Sequence, residues 1–313
     1  MNSFGFLNSI KKIYYKFLYW KGEWQETTAN RIIKKLLKRG VSYDDIIVDD
    51  IKLVYQSLKA CKGSPTKNNM LKVKNYIPHD LEVNVLTDDI IGVIVETRKH
   101  SELAMVVNNF FLNTGRKIQI FHGTDNLEFI LSSDIKGLIT NGVVFLTALN
   151  VNQLSEDYYN SILLSEEFWL AVKARNKIII FQTDSIICSN SNYQLLDFKV
   201  FDYIGASWGR RLLPNGIVAD GGVGGFSFRD YKKSIDCVRR FPAENWKGGE
   251  DDYFSFHIEL IGGKVGNKID CAKFCSQEEF ISKSFAAHQI SNMTKKERIK
   301  FIKYCPDAKF LLP

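Results

Sequence analysis

The sequence predicts an α/β protein built on a mixed, mainly parallel central sheet flanked by helices, with a helical extension at the amino end. Three observations predict it. Short apolar runs ending in polar residues alternate with amphipathic stretches of helical length, the order expected of parallel βαβ units. One run, Ile178 to Phe181, is apolar throughout, as a strand covered on both faces must be. With 313 residues, 45% hydrophobic and 13% aromatic, the chain carries enough apolar material for one large core.

The elements follow in order. Residues 1–40 read as basic helices interleaved with Phe4, Phe6, Tyr14, Phe17 and Trp20. They either cap the main domain or lie on an anionic membrane surface. From Val41 to Asp89 the pattern stays weakly helical, interrupted by the turn "KGSPTKNN". "IIGVIVETR" is a buried strand, "SELAMVVNNFFLN" a helix and "RKIQIFHGTDN" a second strand. A helix around "YYNSILLSEEFWLAVKA" and the strand in "NKIIIFQTDSIIC" repeat the unit. The glycine-rich "GGVGGFSFRD" leads into an aromatic strand, and "TKKERIKFIKY" is a closing basic helix. This divides the chain into an extension over 1–88, a main domain over 89–290 and a tail over 291–313.

Charge narrows the partners. Residues 1–40 hold nine Lys or Arg and two Glu, leaving 33 basic and 33 acidic residues in a neutral remainder. A nucleic-acid partner is therefore not expected, and any peripheral contact with an anionic membrane belongs to residues 1–40. The six cysteines form no C-x-x-C pair. Cys271 and Cys275 would share a face on a helix, but buried or free thiols are the default reading and suit a reducing compartment. No signal peptide and no run of membrane-spanning length is evident, so a cytoplasmic location is expected.

Three features carry chemistry. Asp184 closes the most buried strand, where open α/β sheets bind ligands; a helix cap or surface turn is the other reading. Gly221, Gly222, Gly224 and Gly225 fit neither a P-loop nor a dinucleotide fingerprint, yet they let backbone approach a ligand, or else mark a hairpin or bulge. "NWKGGEDDYFSF", residues 245–256, places Glu250, Asp251 and Asp252 in a row. Neighbouring carboxylates raise one another's pKa, which suits a general base, while a solvated helix start explains the same residues.

Taken in order, these features resemble the GT-A glycosyltransferases. "WKGGEDD" resembles the W-G-G-E-D-D run of β-1,4-galactosyltransferases. "ETRKHSEL", "QIFHGTDN", "FQTDS", "YIGASW", "GGVGGFSFR", "GEDDYFS" and "AAH" are similar to an uncharacterised family found among capsule-type glycosyltransferases, over roughly residues 90–289. The resemblance implies a GT-A, Rossmann-like fold and a divalent cation, Mn²⁺ or Mg²⁺, held by Asp184 and His288. It implies Asp251 as catalytic base, with Glu250 and Trp246 on the acceptor and Asp252 structural or capping. The donor is then a nucleotide sugar, a UDP-sugar by the same resemblance, and the acceptor a glycan hydroxyl. On the donor side Thr97, Arg98 and Asp125 should border the nucleotide, and Gly222, Gly224 and Gly225 the donor sugar or acceptor. Trp208, Arg210 and Arg211 are placed near the same mouth by analogy. The chain departs from the family's D-x-D motif, reading Thr183-Asp184-Ser185 around its single acid. That departure would also suit a non-catalytic nucleotide-sugar or carbohydrate-binding relative. A glycoside hydrolase would need two carboxyls spaced across a sugar and no diphosphate site, which the βαβ order disfavours.

Overall fold

The computed structural model describes residues 72–78, 88–207, 220–241, 243, 246 and 249–311. The basic segment 1–40, most of 41–88, Cys61, Trp208, Arg210 and Arg211 lie outside the described residues.

Strand β1 (Ile90–Val95) is buried at every position. Helix α1 (Leu103–Thr114) follows and stops at Gly115, whose φ of 63° lets its N–H bond back to the Phe111 carbonyl. Then come β2 (Ile118–His122), the short helices α2 (Leu127–Leu131) and α3 (Lys136–Thr140), and β3 (Val144–Ala148). β3 is an edge strand with patchy burial, so its sequence lacks the continuous apolar signal of its neighbours. The single helix expected across "YYNSILLSEEFWLAVKA" is in fact two, α4 (Glu156–Leu163) and α5 (Glu166–Ala171). Ser165 breaks it, because its side chain accepts the Phe168 N–H and starts a new helix. The remainder is β4 (Lys177–Phe181), β5 (Ser185–Ile187), β6 (Tyr203–Ala206), β7 (Val223–Asp230), α6 (Tyr231–Arg240), α7 (Glu250–Leu260), α8 (Lys268–Phe274), β8 (Cys275–Ser276), β9 (Ala286–His288) and α9 (Lys295–Tyr304).

The main sheet has the order β3-β2-β1-β4-β7-β6. β3, β2, β1 and β4 run parallel; β7 is antiparallel to β4, and β6 to β7. Residues alternate between its two faces, as a pleat requires. Ile91, Val93, Val95, Ile178 and Ile180 face a core with Phe168, Trp169, Trp246, Tyr253 and Phe254. Ile90, Ile94, Ile179 and Phe181 face the other, with Phe110, Phe226, Phe274 and Phe285. Thus helices cover both faces of the expected mainly parallel sheet.

A second sheet, β5-β9-β8, begins immediately beyond β4. The segment from 291 onward packs on it: Ile186, Cys188 and Ala287 share a cluster with Met293 and a fully buried Phe301. Thr294 and Glu297 close a reciprocal capping box at the start of α9. Helix α8 ends at Phe274, so Cys271 and Cys275 do not share a helix face. The five described cysteines are free and buried, and burial pushes Cys271 up to about 12. Among the described residues no three His, Cys, Asp or Glu side chains are grouped to hold a metal, and no helix is long and apolar enough to cross a membrane.

Candidate functional site

The sheet turns outward in two directions from β1 and β4: β2 and β3 continue on one side, β7 and β6 on the other. Above such a switch point the connections diverge and leave a crevice. Here a cleft of about 460 Å³ opens at the carboxyl ends of both strands. That volume suits a small molecule of nucleotide or disaccharide size. Asp184, Thr97, Arg98, Gly225, Glu250, Asp251 and His288 all line it, so residues spread over most of the main domain meet in one place.

One wall is built by the second sheet. β5 starts directly after Asp184 and pairs antiparallel with β9, placing Ser185 opposite His288. His288 Nε2 thereby sits 3.2 Å from Asp184 Oδ1 and 3.1 Å from Gln182 Oε1, and its Nδ1 lies 3.3 Å from Gln277 Oε1. Burial pushes the Asp184 carboxyl up, but the His288 ring together with hydrogen bonds from its own backbone and Gln289 holds it below the ordinary carboxylate range. Asp184 Oδ1 is shielded from solvent and has no well-directed hydrogen bond among the described residues, although 46% of the side chain is exposed. Gly225 is required beside this group. A Cβ there would stand 2.2 Å from His288 Nε2 and 2.7 Å from Gln182 Oε1. Gly225→Ala is therefore expected to push both side chains aside, costing about 1–3 kcal/mol in overpacking. A urea or thermal denaturation midpoint below the parent's checks this.

The opposite wall is the first turn of α7. Its N-cap, Gly249, offers no side-chain oxygen, and Glu250, Asp251 and Asp252 supply negative charge where the helix dipole favours it. This is not a solvated cluster, since Glu250 and Asp252 are buried. Arg229, fully buried on β7, binds both carboxylate oxygens of Glu250, with Nη2–Oε1 at 2.9 Å. The same guanidinium lies over the rings of Tyr203 and Phe254, 5.1 and 5.2 Å from their centroids. Glu250 thus has its oxygens committed to an ion pair rather than offered to acceptor hydroxyls. Asp251 differs. Its Oδ2 accepts the Gly224 N–H at 3.2 Å and its Oδ1 the Asp252 N–H at 2.8 Å. Burial and then the Glu250 charge push its carboxyl up to about 6.

The third wall is the end of β1. Glu96 is buried and grips Arg98 through Nε at 2.9 Å and Nη2 at 2.7 Å, while Asn126 donates to the carbonyls of both residues. Thr97 is buried but lines the cleft, and Arg98 is exposed at its rim.

Four expected residues are placed elsewhere. Trp246 is 1% exposed, stacks on Phe256 and donates its Nε1–H to the Gly249 carbonyl, so it braces the α7 turn from the core instead of meeting a sugar. Asp125 is exposed past the end of β2 and outside the cleft lining. Gly222, at φ 80°, serves a close approach to β6, where a Cβ would be 2.2 Å from the Ala206 carbonyl oxygen. Gly224 makes room for protein: a Cβ would meet Glu250 Oε1 at 2.1 Å.

Residues 145–292 match a family model described as "Protein of unknown function (DUF5672)". The match spans Asp184, Gly224, Gly225, Glu250, Asp251 and His288 but not the β1 wall. No curated protein matches the chain. Among solved structures, a nucleoside-diphosphate-sugar pyrophosphorylase from Vibrio cholerae RC9 is 11% identical, with TM-score 0.41, covering 68% of this chain and 99% of its own. A chain described as a glucose-1-phosphate thymidylyltransferase from Bacillus anthracis, in complex with a sucrose, is 13% identical, with TM-score 0.36, covering 57% and 86%.

The arrangement joins a group of oxygen and nitrogen donors on one wall to a carboxylate that changes charge near pH 6 on the other. Sequence reasoning missed Arg229, Gln182 and Glu96. Arg229 had a signal: in "FSFRD" it shares the Ser227 face of a strand whose other face carries Phe226 and Phe228. An arginine at that depth needs an acid partner, and Glu250 is it.

Proposed function

We propose that the chain transfers a sugar from a nucleoside-diphosphate sugar, in our reading a UDP-sugar, to a hydroxyl of a glycan acceptor. The observation that carries this reading is the meeting of Asp184, His288 and Asp251 in one cleft at the switch point of the sheet. In the reaction the acceptor oxygen attacks the anomeric carbon as its proton passes to Asp251. The anomeric C–O bond breaks, its electron pair leaves with the diphosphate, and the configuration inverts.

A carboxylate suits the base role when it is ionised at working pH yet not so acidic that it refuses the proton. Asp251 at about 6 meets both conditions. Asp184 and His288 would hold a divalent cation, Mn²⁺ or Mg²⁺, with diphosphate oxygens and water completing the shell. Their fit is chemical: the Asp184 Oδ1 and His288 Nε2 donors lie 3.2 Å apart, and Oδ1 lacks a well-directed partner. When bound, the cation supplies Lewis-acid stabilisation to the departing diphosphate. Charge supports the same reading. Glu96 and Glu250 are matched by Arg98 and Arg229, whereas among the described residues no Lys or Arg is bonded to Asp184 or Asp251. A diphosphate would enter such a cleft together with a cation. Arg98, with Thr97, is left to border the nucleotide.

The test is a screen of nucleotide sugars for Mn²⁺-dependent release of UDP or GDP, with product anomers read by NMR. Release with transfer supports the reading. A protein that binds a UDP-sugar in Mn²⁺ yet never releases UDP is instead a non-catalytic nucleotide-sugar-binding relative, a reading favoured by the missing second acid beside Asp184. Asp184→Ala is expected to weaken calorimetric UDP-sugar affinity in Mn²⁺ by about 10–100-fold, with little change when EDTA is present.

A further inference from the structure

Three lone-pair donors converge between β4 and β9: Gln182 Oε1 and Asp184 Oδ1 lie 3.1 and 3.2 Å from His288 Nε2. A neutral imidazole has one N–H to give. If it is on Nδ1, it meets Gln277 Oε1 and leaves the three donors facing one another with no hydrogen between them. If it is on Nε2, it points at Asp184 Oδ1 and Gln182 Oε1, the contact that lowers the Asp184 carboxyl, and Nδ1 faces Gln277 Oε1. In the first arrangement a cation can take the place of that hydrogen, with Gln277 orienting the ring from behind as outer partners of metal-bound histidines do. The space for this exists because residue 225 has no side chain.

We propose that Gln182 is the third protein ligand of this cation. A neutral amide oxygen in that place leaves the protein ligand set with one formal negative charge, from Asp184, so the cation loads together with the nucleotide diphosphate rather than ahead of it. This rests on the proposed function for the cation at Asp184 and His288 and for the identity of the anion. Oxygen-ligand sites lose affinity as ligand charge falls. The diphosphate restores that charge, and the nucleotide becomes half of the site. Ordered loading follows: cation and donor enter as one unit, and release of the nucleoside diphosphate frees the cation.

Mn²⁺ binding, followed by electron paramagnetic resonance of the free ion, tests this without any transfer assay. The parent should bind Mn²⁺ at least about tenfold more tightly with UDP present than without. Gln182→Ala should lose about tenfold of the UDP-supported affinity. Gln182→Glu should bind Mn²⁺ in the absence of UDP about tenfold more tightly than the parent, because it returns the missing charge. Circular dichroism melts confirm that each variant is folded, and the opposite signs of the two substitutions separate ligation from general damage. The inference is overturned if both variants titrate like the parent, which would make the amide a simple hydrogen-bond acceptor for the ring. Should Asp184→Ala alone lose binding, the cation site of the proposed function stands and only the role of Gln182 falls. If the parent fails to bind Mn²⁺ even with UDP, the cation falls from both.

Discussion

Asp251→Asn is expected to lower kcat about 10³-fold while leaving affinity for the UDP-sugar within a few fold of the parent. General-base catalysis is worth roughly 10²–10⁴ in rate, and the amide keeps the shape and one acceptor for the Gly224 N–H while losing the capacity to take a proton. On the proposed mechanism the parent's kcat/KM should rise about tenfold per pH unit below about 6 and level off above it, since a base must be ionised to take the proton. The variant's residual rate should lack that step. Of the other buried titrating groups, His257 is pushed down to about 3 by burial and keeps its charge state across this range.

The same group carries a stability cost. Its folded pKa lies above the ordinary value of 3.8, so between those values the folded protein holds a proton that the unfolded chain has released. Stability therefore falls as pH rises from about 4 through about 6. Removing the charge should stabilise the fold at pH 7.5, by an amount on the order of 1–3 kcal/mol. A variant that is both inactive and harder to melt is the expected signature. Transfer at the parent rate would remove Asp251 from the mechanism.

The second large effect is on the fold itself. Arg229→Met should destabilise the protein by about 3–5 kcal/mol, because it strands the buried Glu250 charge. Arg229 also donates through Nε to Ser227 Oγ, which would keep only its own bond to the Gly224 carbonyl. The double variant Arg229→Met/Glu250→Gln should recover a large part of the loss, since it removes both charges. Urea denaturation midpoints of the two single variants and the double one close this cycle. If Arg229→Met unfolds at the parent midpoint, the pair is not holding α7 against the sheet.

Much of this architecture is legible in the sequence. Wherever a strand is covered on both faces, as in β1 and β4, its apolar run is unbroken, and α1 and α9 show helical patterns of sufficient length. What escapes is set by context. β3 sits at an edge where only some positions are buried, and the break at Ser165 depends on a side chain competing for a backbone N–H. The site follows the same division. Asp184 and the acidic run that holds Asp251 are readable because strand ends and acidic helix starts are chemically distinctive; His288 enters through the resemblance alone, and the structure brings the three into one cleft. Trp246 and Glu250 belong to the quoted motif, but burial decides their work, and burial depends on α7 lying against β7. Gln182 carries no charge, so composition gives it no prominence beside the acid two residues later.

Gly224 and Gly225 are consecutive in one strand, one pressed against the Asp251 wall and the other against the His288 wall. The span between the Asp251 wall and the His288 wall is consequently set by a single peptide unit whose length cannot vary. Inserting one residue between those two glycines would alter that span, leaving each half intact and the pair out of step.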